Sequence, residues 1–230
     1  MLRYTPFHER TSLLCQAQNW RRWASYLVAG SYELSLDREY WAIRNSTALI
    51  DVSPLMKYLI QGRDAARLLN RVVTRDIGRL QVGQVYYTGW CDEDGKLIDD
   101  GTVSRLDELT YRLTSADPNL RWLSMNAVGF EVEITEVTDR VSALSLQGPN
   151  ARSVLMRCCE RSVKELKYFR LMQNRLGGLP VTISRTGYTG DLGYEIWMDS
   201  CYLHKRNAAS VAAPGSAKKW TFWTCGLTLV

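Results

Sequence analysis

Residues 183–196 read Ile183-Ser184-Arg185-Thr186-Gly187-Tyr188-Thr189-Gly190-Asp191-Leu192-Gly193-Tyr194-Glu195-Ile196. An apolar, strand-like approach runs into three glycines interleaved with Tyr188, Thr189 and Tyr194, then meets a single acid, Glu195, between apolar neighbours. Glycines at this density let backbone pass close to a ligand or take positive φ, both of which a Cβ obstructs. An acid in an apolar run is costly to bury unless something donates to it. These residues alone leave two readings open. One is a glycine-rich hairpin with Glu195 turned to water; the other is a backbone cradle with a held carboxylate behind it.

Outward from this stretch the pattern is α+β. Residues 141–200 predict a strand at Val141 to Leu146, a Gln147-Gly148-Pro149 turn, a helix from Asn150 to Glu160 and a strand around Lys167 to Leu171. A Gly177-Gly178 turn, a strand from Pro180 to Arg185, the glycine loop and a strand from Tyr194 to Met198 follow. Residues 51–140 show the same grammar: a strand-like Ala48 to Leu59 containing Pro54, a helix from Asp64 to Val73, and strands at Gly83 to Trp90 and Leu97 to Arg105 about an Asp92-Glu93-Asp94-Gly95 turn. Strand Glu108 to Thr114, helix Asn119 to Val128 and strand Phe130 to Val137 complete it. Two similar α+β units are implied, with no sequence repeat read between them.

The flanks differ in character. Residues 1–47 read as mainly helical, over Thr11 to Leu27 and again over Ser35 to Arg44, where Ser35 is of N-cap type. Trp20, Trp23, Tyr26, Tyr32, Tyr40 and Trp41 form an aromatic cluster that core packing explains for the most part, with a minority suited to line a flat ligand. After Ser200 the chain has no acid, no clear period and a basic Pro/Gly/Ser centre. A linker with a short strand and a shifted reading frame both account for it.

Composition narrows the function classes. Of the net charge of +5, residues 201–230 carry four with Lys205, Arg206, Lys218 and Lys219, which leaves 25 bases against 24 acids in 1–200 and no extended basic face for nucleic acid. No apolar run approaches the roughly 20 residues of a membrane span, and Met1 to Arg10 lacks the apolar core of a signal peptide, so a cytoplasmic location is expected. Six cysteines without C-x-x-C spacing and only two histidines, His8 and His204, argue against structural zinc and against a histidine base.

Asp94 to Val103 contains the adjacent acids Asp99 and Asp100, which a strand points to opposite faces. Only one can face a cavity, and periodicity does not say which. A carboxylate in a partly apolar pocket can position an amine or exchange a proton with it. Asp51 to Met56 reads as a strand end with an apolar shelf, and Leu144 to Pro149 as strand then turn.

Taken together, Asp51 to Met56, Gly95 to Val103, Leu144 to Pro149 and above all Arg185 to Gly190, continued by Gly193 to Ile196, resemble in order and spacing the aminomethyltransferase family of the glycine cleavage T-protein. The resemblance covers about residues 36–200. It implies an α+β folate-binding fold of two ferredoxin-like domains, with a first domain made of 1–50 and 141–200, a second of 51–140, and a non-matching tail at 201–230. The family's C-terminal β-domain is absent from the chain on this reading, which makes it truncated after about residue 200.

The resemblance further implies a tetrahydrofolate-dependent one-carbon transferase that receives an aminomethyl or methyl group. Asp100 falls on the catalytic aspartate, Glu195 on the pterin-holding glutamate and Tyr188 on the loop tyrosine, with Leu55 and Met56 as the apolar surface against the ring. A pterin offers an amino group and ring N–H donors that a carboxylate accepts in pairs. Expected partners are a small-molecule methyl or aminomethyl donor and a lipoyl carrier protein, with neither nucleic acid nor membrane. Ala29 to Glu33 stands where the glycine cleavage protein has a Gly-Trp and proline stretch, which leaves the donor open. Two alternatives stand beside this: the iron–sulfur maturation branch, whose lysine-glycine-cysteine motif is not matched at Arg185 to Tyr188, and an inactive fragment.

Overall fold

A computed structural model describes residues 2–203 together with the backbone of Thr228 and Leu229. The remainder of the sequence tail read above lies outside the described residues. In chain order the elements are α1 (His8–Thr11), β1 (Trp20–Trp23), β2 (Tyr26–Ala29), α2 (Leu36–Asn45), β3 (Ala48–Asp51), β4 (Met56–Gln61), α3 (Ala65–Val72), β5 (Val85–Cys91) and β6 (Leu97–Arg105). Then come β7 (Thr110–Ser115), α4 (Leu120–Asn126), β8 (Glu133–Glu136), β9 (Val141–Gln147), α5 (Ala151–Cys158), β10 (Leu171–Leu176), β11 (Leu179–Ser184), β12 (Gly193–Asp199) and β13 (Thr228–Leu229). The chain forms two compact units: one from 1–53, 139–168 and 172–230, the other from 54–138 and 169–171.

The first unit holds a mixed sheet in the order β10-β11-β12-β9-β3-β13, with β13 parallel to β3, and a separate β1-β2 hairpin. Helix α5 buries Ala151, Val154, Leu155 and Cys158, a spacing that puts one apolar stripe onto the sheet. Leu144, Leu146, Ile183, Tyr194, Ile196 and Met198 meet that stripe as the core. The second unit is an antiparallel sheet in the order β5-β6-β7-β4-β8, and α3 presents Ala65, Leu68, Leu69 and Val72 to Met56, Tyr58, Ile60, Val103 and Leu113.

Those two helical stripes have identical spacing, and the structure exposes a sequence repeat that the reading above missed. Gln61-Gly62-Arg63-Asp64-Ala65, with Leu69 and Arg71, corresponds to Gln147-Gly148-Pro149-Asn150-Ala151, with Leu155 and Arg157. Both glycines have positive φ, 134° and 127°, and both carbonyls accept from the alanine three residues on, at 3.1 and 3.0 Å. A Cβ at either would lie within about 2.5 Å of a backbone oxygen, Glu131 O or Ser46 O, so each unit turns from strand to helix at a position open only to glycine.

Three expectations are corrected. Thr11 to Leu27 is not helical beyond one short turn: Trp20-Arg21-Arg22-Trp23 and Tyr26-Leu27-Val28-Ala29 pair as a hairpin, because aromatic and branched residues favour the pleated surface and Ala24 takes φ 50° at the turn. The run Ala48 to Leu59 is two strands in two units, divided at Ser53-Pro54. The strand around Lys167 begins only at Leu171, because Phe169 has φ 55° and Phe169–Leu171 leaves the first unit to bond Gly83 and Val85 in the second. At α2, Ser35 stands at the N-cap without a side-chain cap, and Glu39 instead reaches back to accept from the backbone N–H groups of Tyr32 and Glu33 at 2.6 and 2.9 Å.

Candidate functional site

The acid in the apolar run is accounted for by pleat. Tyr194, Ile196 and Met198 of β12 enter the core, so Glu195 and Trp197 point to the opposite face. On that face Glu195 lies in register between Ser184 of β11 and Ser145 of β9, hydroxyl neighbours in place of apolar ones. Thr186 donates its hydroxyl to Glu195 Oε2 at 2.5 Å, and Ser184 and Thr186 share a hydrogen bond of 2.8 Å. Trp197 donates Nε1 to Ser184 Oγ at 3.2 Å. Glu195 is 9% exposed, so this network rather than water fixes the carboxylate.

The loop's glycines divide into two kinds. Gly190 has φ 79° and makes the turn itself. Gly187 and Gly193 have ordinary φ, but a Cβ on either would come within 2.2 to 2.4 Å of the Gln147 amide. Gln147 is fully buried, donates Nε2 to Ser145 Oγ at 2.7 Å and accepts from Thr189 Oγ1 at 2.8 Å. Its side chain passes between the two limbs of the loop. The sequence reading placed Gln147 in a turn; its contact with residues forty positions on has no local signal.

Tyr188 stands at the loop's tip, with its side chain 70% exposed. Protein around the phenol oxygen nevertheless desolvates it and holds its pKa above the ordinary value; the Glu195 charge adds to that shift and Arg21 opposes it. Tyr188 also lines a cavity of about 150 Å³ in the same unit, with Trp20 and Trp23 of β1, Tyr32, His8 and Arg21 among its walls. Asp51 and Glu39 carry the negative charge there. Ile50, another wall, is in register with Ser145 and through it with Glu195.

In the second unit, β6 separates the two aspartates. Asp99 is buried on the helix-covered face, where it accepts from Asp100 N at 2.7 Å, Asp117 N at 3.2 Å and Asn119 Nδ2 at 2.7 Å. Asp100 is on the other face, with Thr102 and Thr114, and takes a hydrogen bond from the Tyr87 hydroxyl, whose pKa this bond and the Asp100 charge raise. Met56 pairs with Ser115, and Ser115 with Gly101, which places Met56 on the Asp99 side of the sheet, within the unit's core. Leu55, half-buried, precedes β4, and its carbonyl accepts from Lys57 Nζ at 2.7 Å. The structure thus gathers Tyr188 and Glu195 in one unit and sets Leu55, Met56 and Asp100 in the other.

Two α+β units joined by a discontinuous chain are a fold found in the glycine cleavage T-protein. The aminomethyltransferase T of Bartonella henselae superposes with a TM-score of 0.77 at 24% identity, covering 94% of this chain and 58% of that one. A chain of the heterotetrameric sarcosine oxidase of Corynebacterium sp. U-96 matches with a TM-score of 0.59 at 18% identity, over 94% of this chain and all of that one. The protein belongs to the family described as the GCVT N-terminal domain, whose model matches residues 4–217. That match reaches beyond the motifs of residues 36–200 at both ends and includes part of the tail that the sequence reading left unmatched. Aminomethyltransferases of Thermoanaerobacter pseudethanolicus and Bacillus mycoides are 33% and 34% identical over 173 and 181 residues, 73% and 74% of this chain. The chain spans about half their length, 47% and 49%.

Proposed function

We propose that the chain forms the folate-binding part of a one-carbon transferase that passes an aminomethyl or methyl group to tetrahydrofolate. The observation that carries this reading is the buried Glu195 carboxylate, anchored by Thr186 behind a loop whose Gly187 and Gly193 leave no room for a Cβ. A carboxylate fixed in this way accepts paired N–H donors from a flat heterocycle without paying to be ordered first. Tyr188 presents an exposed aromatic face beside it. Bound tetrahydrofolate would supply the nitrogen that accepts the one-carbon unit. Asp100 orients the donor's amine by charge, and its Tyr87 hydrogen bond holds the carboxylate in one rotamer.

The donor on this reading is a small methylated or aminomethylated molecule, or an aminomethyl group carried by a lipoyl protein, and the setting is cytoplasmic. No helix among the described residues is long and apolar enough to cross a membrane. Calorimetric titration with tetrahydrofolate tests the site. Wild type should bind, and Glu195→Ala should lose at least about ten-fold in affinity, the cost of one charge-assisted hydrogen-bonded pair. Equal affinity in the two would remove Glu195 from the site.

A further inference from the structure

A hydroxyl group carries one proton, and that count fixes the direction of the hydrogen bonds behind Glu195. Trp197, Ser184, Thr186 and Glu195 are 4%, 2%, 3% and 9% exposed, so bulk water does little to reorder them. The Trp197 indole N–H can only donate, and Ser184 Oγ accepts it at 3.2 Å. Thr186 spends its single proton on Glu195 Oε2 at 2.5 Å. The bond of 2.8 Å between Ser184 Oγ and Thr186 Oγ1 must therefore take its proton from Ser184. The four groups form a one-way chain of donors, from indole to serine to threonine to carboxylate. The pleat builds it: Trp197 and Glu195 project to one face of β12, and Ser184 of β11 lies in register with Glu195.

We propose that Trp197 is a positioning residue, whose N–H acts through Ser184 and Thr186 to hold Glu195 as a hydrogen-bond acceptor toward the ligand. The head of the chain decides the matter because an indole N–H cannot be reversed. A protonated Glu195 would turn the later links round, donating to Thr186 and through it to Ser184. Ser184 would then accept from both sides, and its own proton would lose the acceptor that Thr186 now provides. With the carboxylate in place every proton in the chain is accepted, and polarisation along the chain strengthens the last bond. That the ligand so received is a folate rests on the transferase reading above; the chain of donors does not.

The test is a carbon-13 NMR titration of glutamate-labelled full chain, taken downward from neutral pH, with the Glu195 carboxyl signal assigned through Glu195→Gln. The neighbouring cavity's His8, Arg21, Glu39, Asp51 and Tyr188 are the same in every variant and cancel from the comparison. Trp197→Phe keeps an aromatic ring and removes the donor, and the proton affinity of Glu195 should rise by about two- to ten-fold, the worth of one hydrogen bond. Ser184→Ala, a smaller change, should give a similar rise. Thr186→Val should raise it at least as much, and Thr186→Ser should restore the wild-type titration. An unchanged titration in Trp197→Phe or Ser184→Ala, or a Thr186→Ser curve that matches Thr186→Val, would overturn the proposal. Tetrahydrofolate affinity gives the second readout: Trp197→Phe should lose about two- to ten-fold in an otherwise wild-type chain and nothing further beside Glu195→Ala. An equal loss beside Glu195→Ala would make Trp197 a packing residue and also overturn the proposal. If tetrahydrofolate fails to bind while the Glu195 titration responds to Trp197→Phe, the transferase reading falls and the donor chain stands.

Discussion

Asp99 and Asp100 are chemically the same residue one position apart, and β6 gives them different work. Asp99 accepts three hydrogen bonds and holds Asn119 at the start of α4, where Asn119 also accepts from Trp90 Nε1 at 3.1 Å. Asp99→Ala strands those donors and should cost about 1–3 kcal/mol in urea denaturation. Asp100→Asn, on the other face and bonded to Tyr87, should leave the denaturation midpoint within about 0.5 kcal/mol of wild type while one-carbon transfer falls by at least ten-fold. A stability loss confined to Asp100→Asn would reverse the assignment. The sequence showed the pair and the opposed faces but not which face was which. That choice depends on which side α3 and α4 cover, which is a tertiary fact. Met56 shows the same limit: the apolar shelf was visible, yet its side of the sheet was not.

At the scale of elements, the glycine loop works as a clasp around Gln147. Gly193→Ala should force the Gln147 amide out from between the limbs, with a cost of about 1–3 kcal/mol in thermal or urea melts and a loss of tetrahydrofolate affinity. Adding Gln147→Ala to Gly193→Ala should recover part of the stability, because the obstructing amide is gone; no recovery would mean that Gly193 is required for another reason. Most strands and helices were legible because their apolar periods matched their covered faces, α3 and α5 among them, whereas β6 was legible from the Asp92 to Gly95 turn that precedes it. The β1-β2 hairpin was not, since its turn uses Ala24 at positive φ in place of a turn residue, and Trp, Arg and Leu suit a helix equally well. The same hairpin supplies Trp20, Arg21, Trp23, Leu27, Val28 and Ala29 to the wall of the cavity at Tyr188, so missing it hid those residues. The buried Glu39 gave no sign either, because a first-turn acid in a helix ordinarily faces water.

Across the whole molecule, connectivity constrains the order of folding. In the first unit β9 pairs with β3 on one side and β12 on the other, and the segment between β3 and β9 belongs almost wholly to the second unit. Closing the first sheet therefore requires a long loop, whereas β5, β6 and β7 close through short turns. Pulse-labelled hydrogen exchange during refolding should protect β5–β7 amides before those of β3 and β9; simultaneous protection would show that the two units fold as one. The strand-to-helix block shared by residues 61–71 and 147–157 is one local design used in both units, with the same glycine turn and the same helical stripe. The two differ at the leading glutamine: Gln61 lies at the surface, bonded to Thr110, while Gln147 is the bolt of the loop that holds Glu195. The same part thus serves as plain scaffold in one unit and as a fastening in the other.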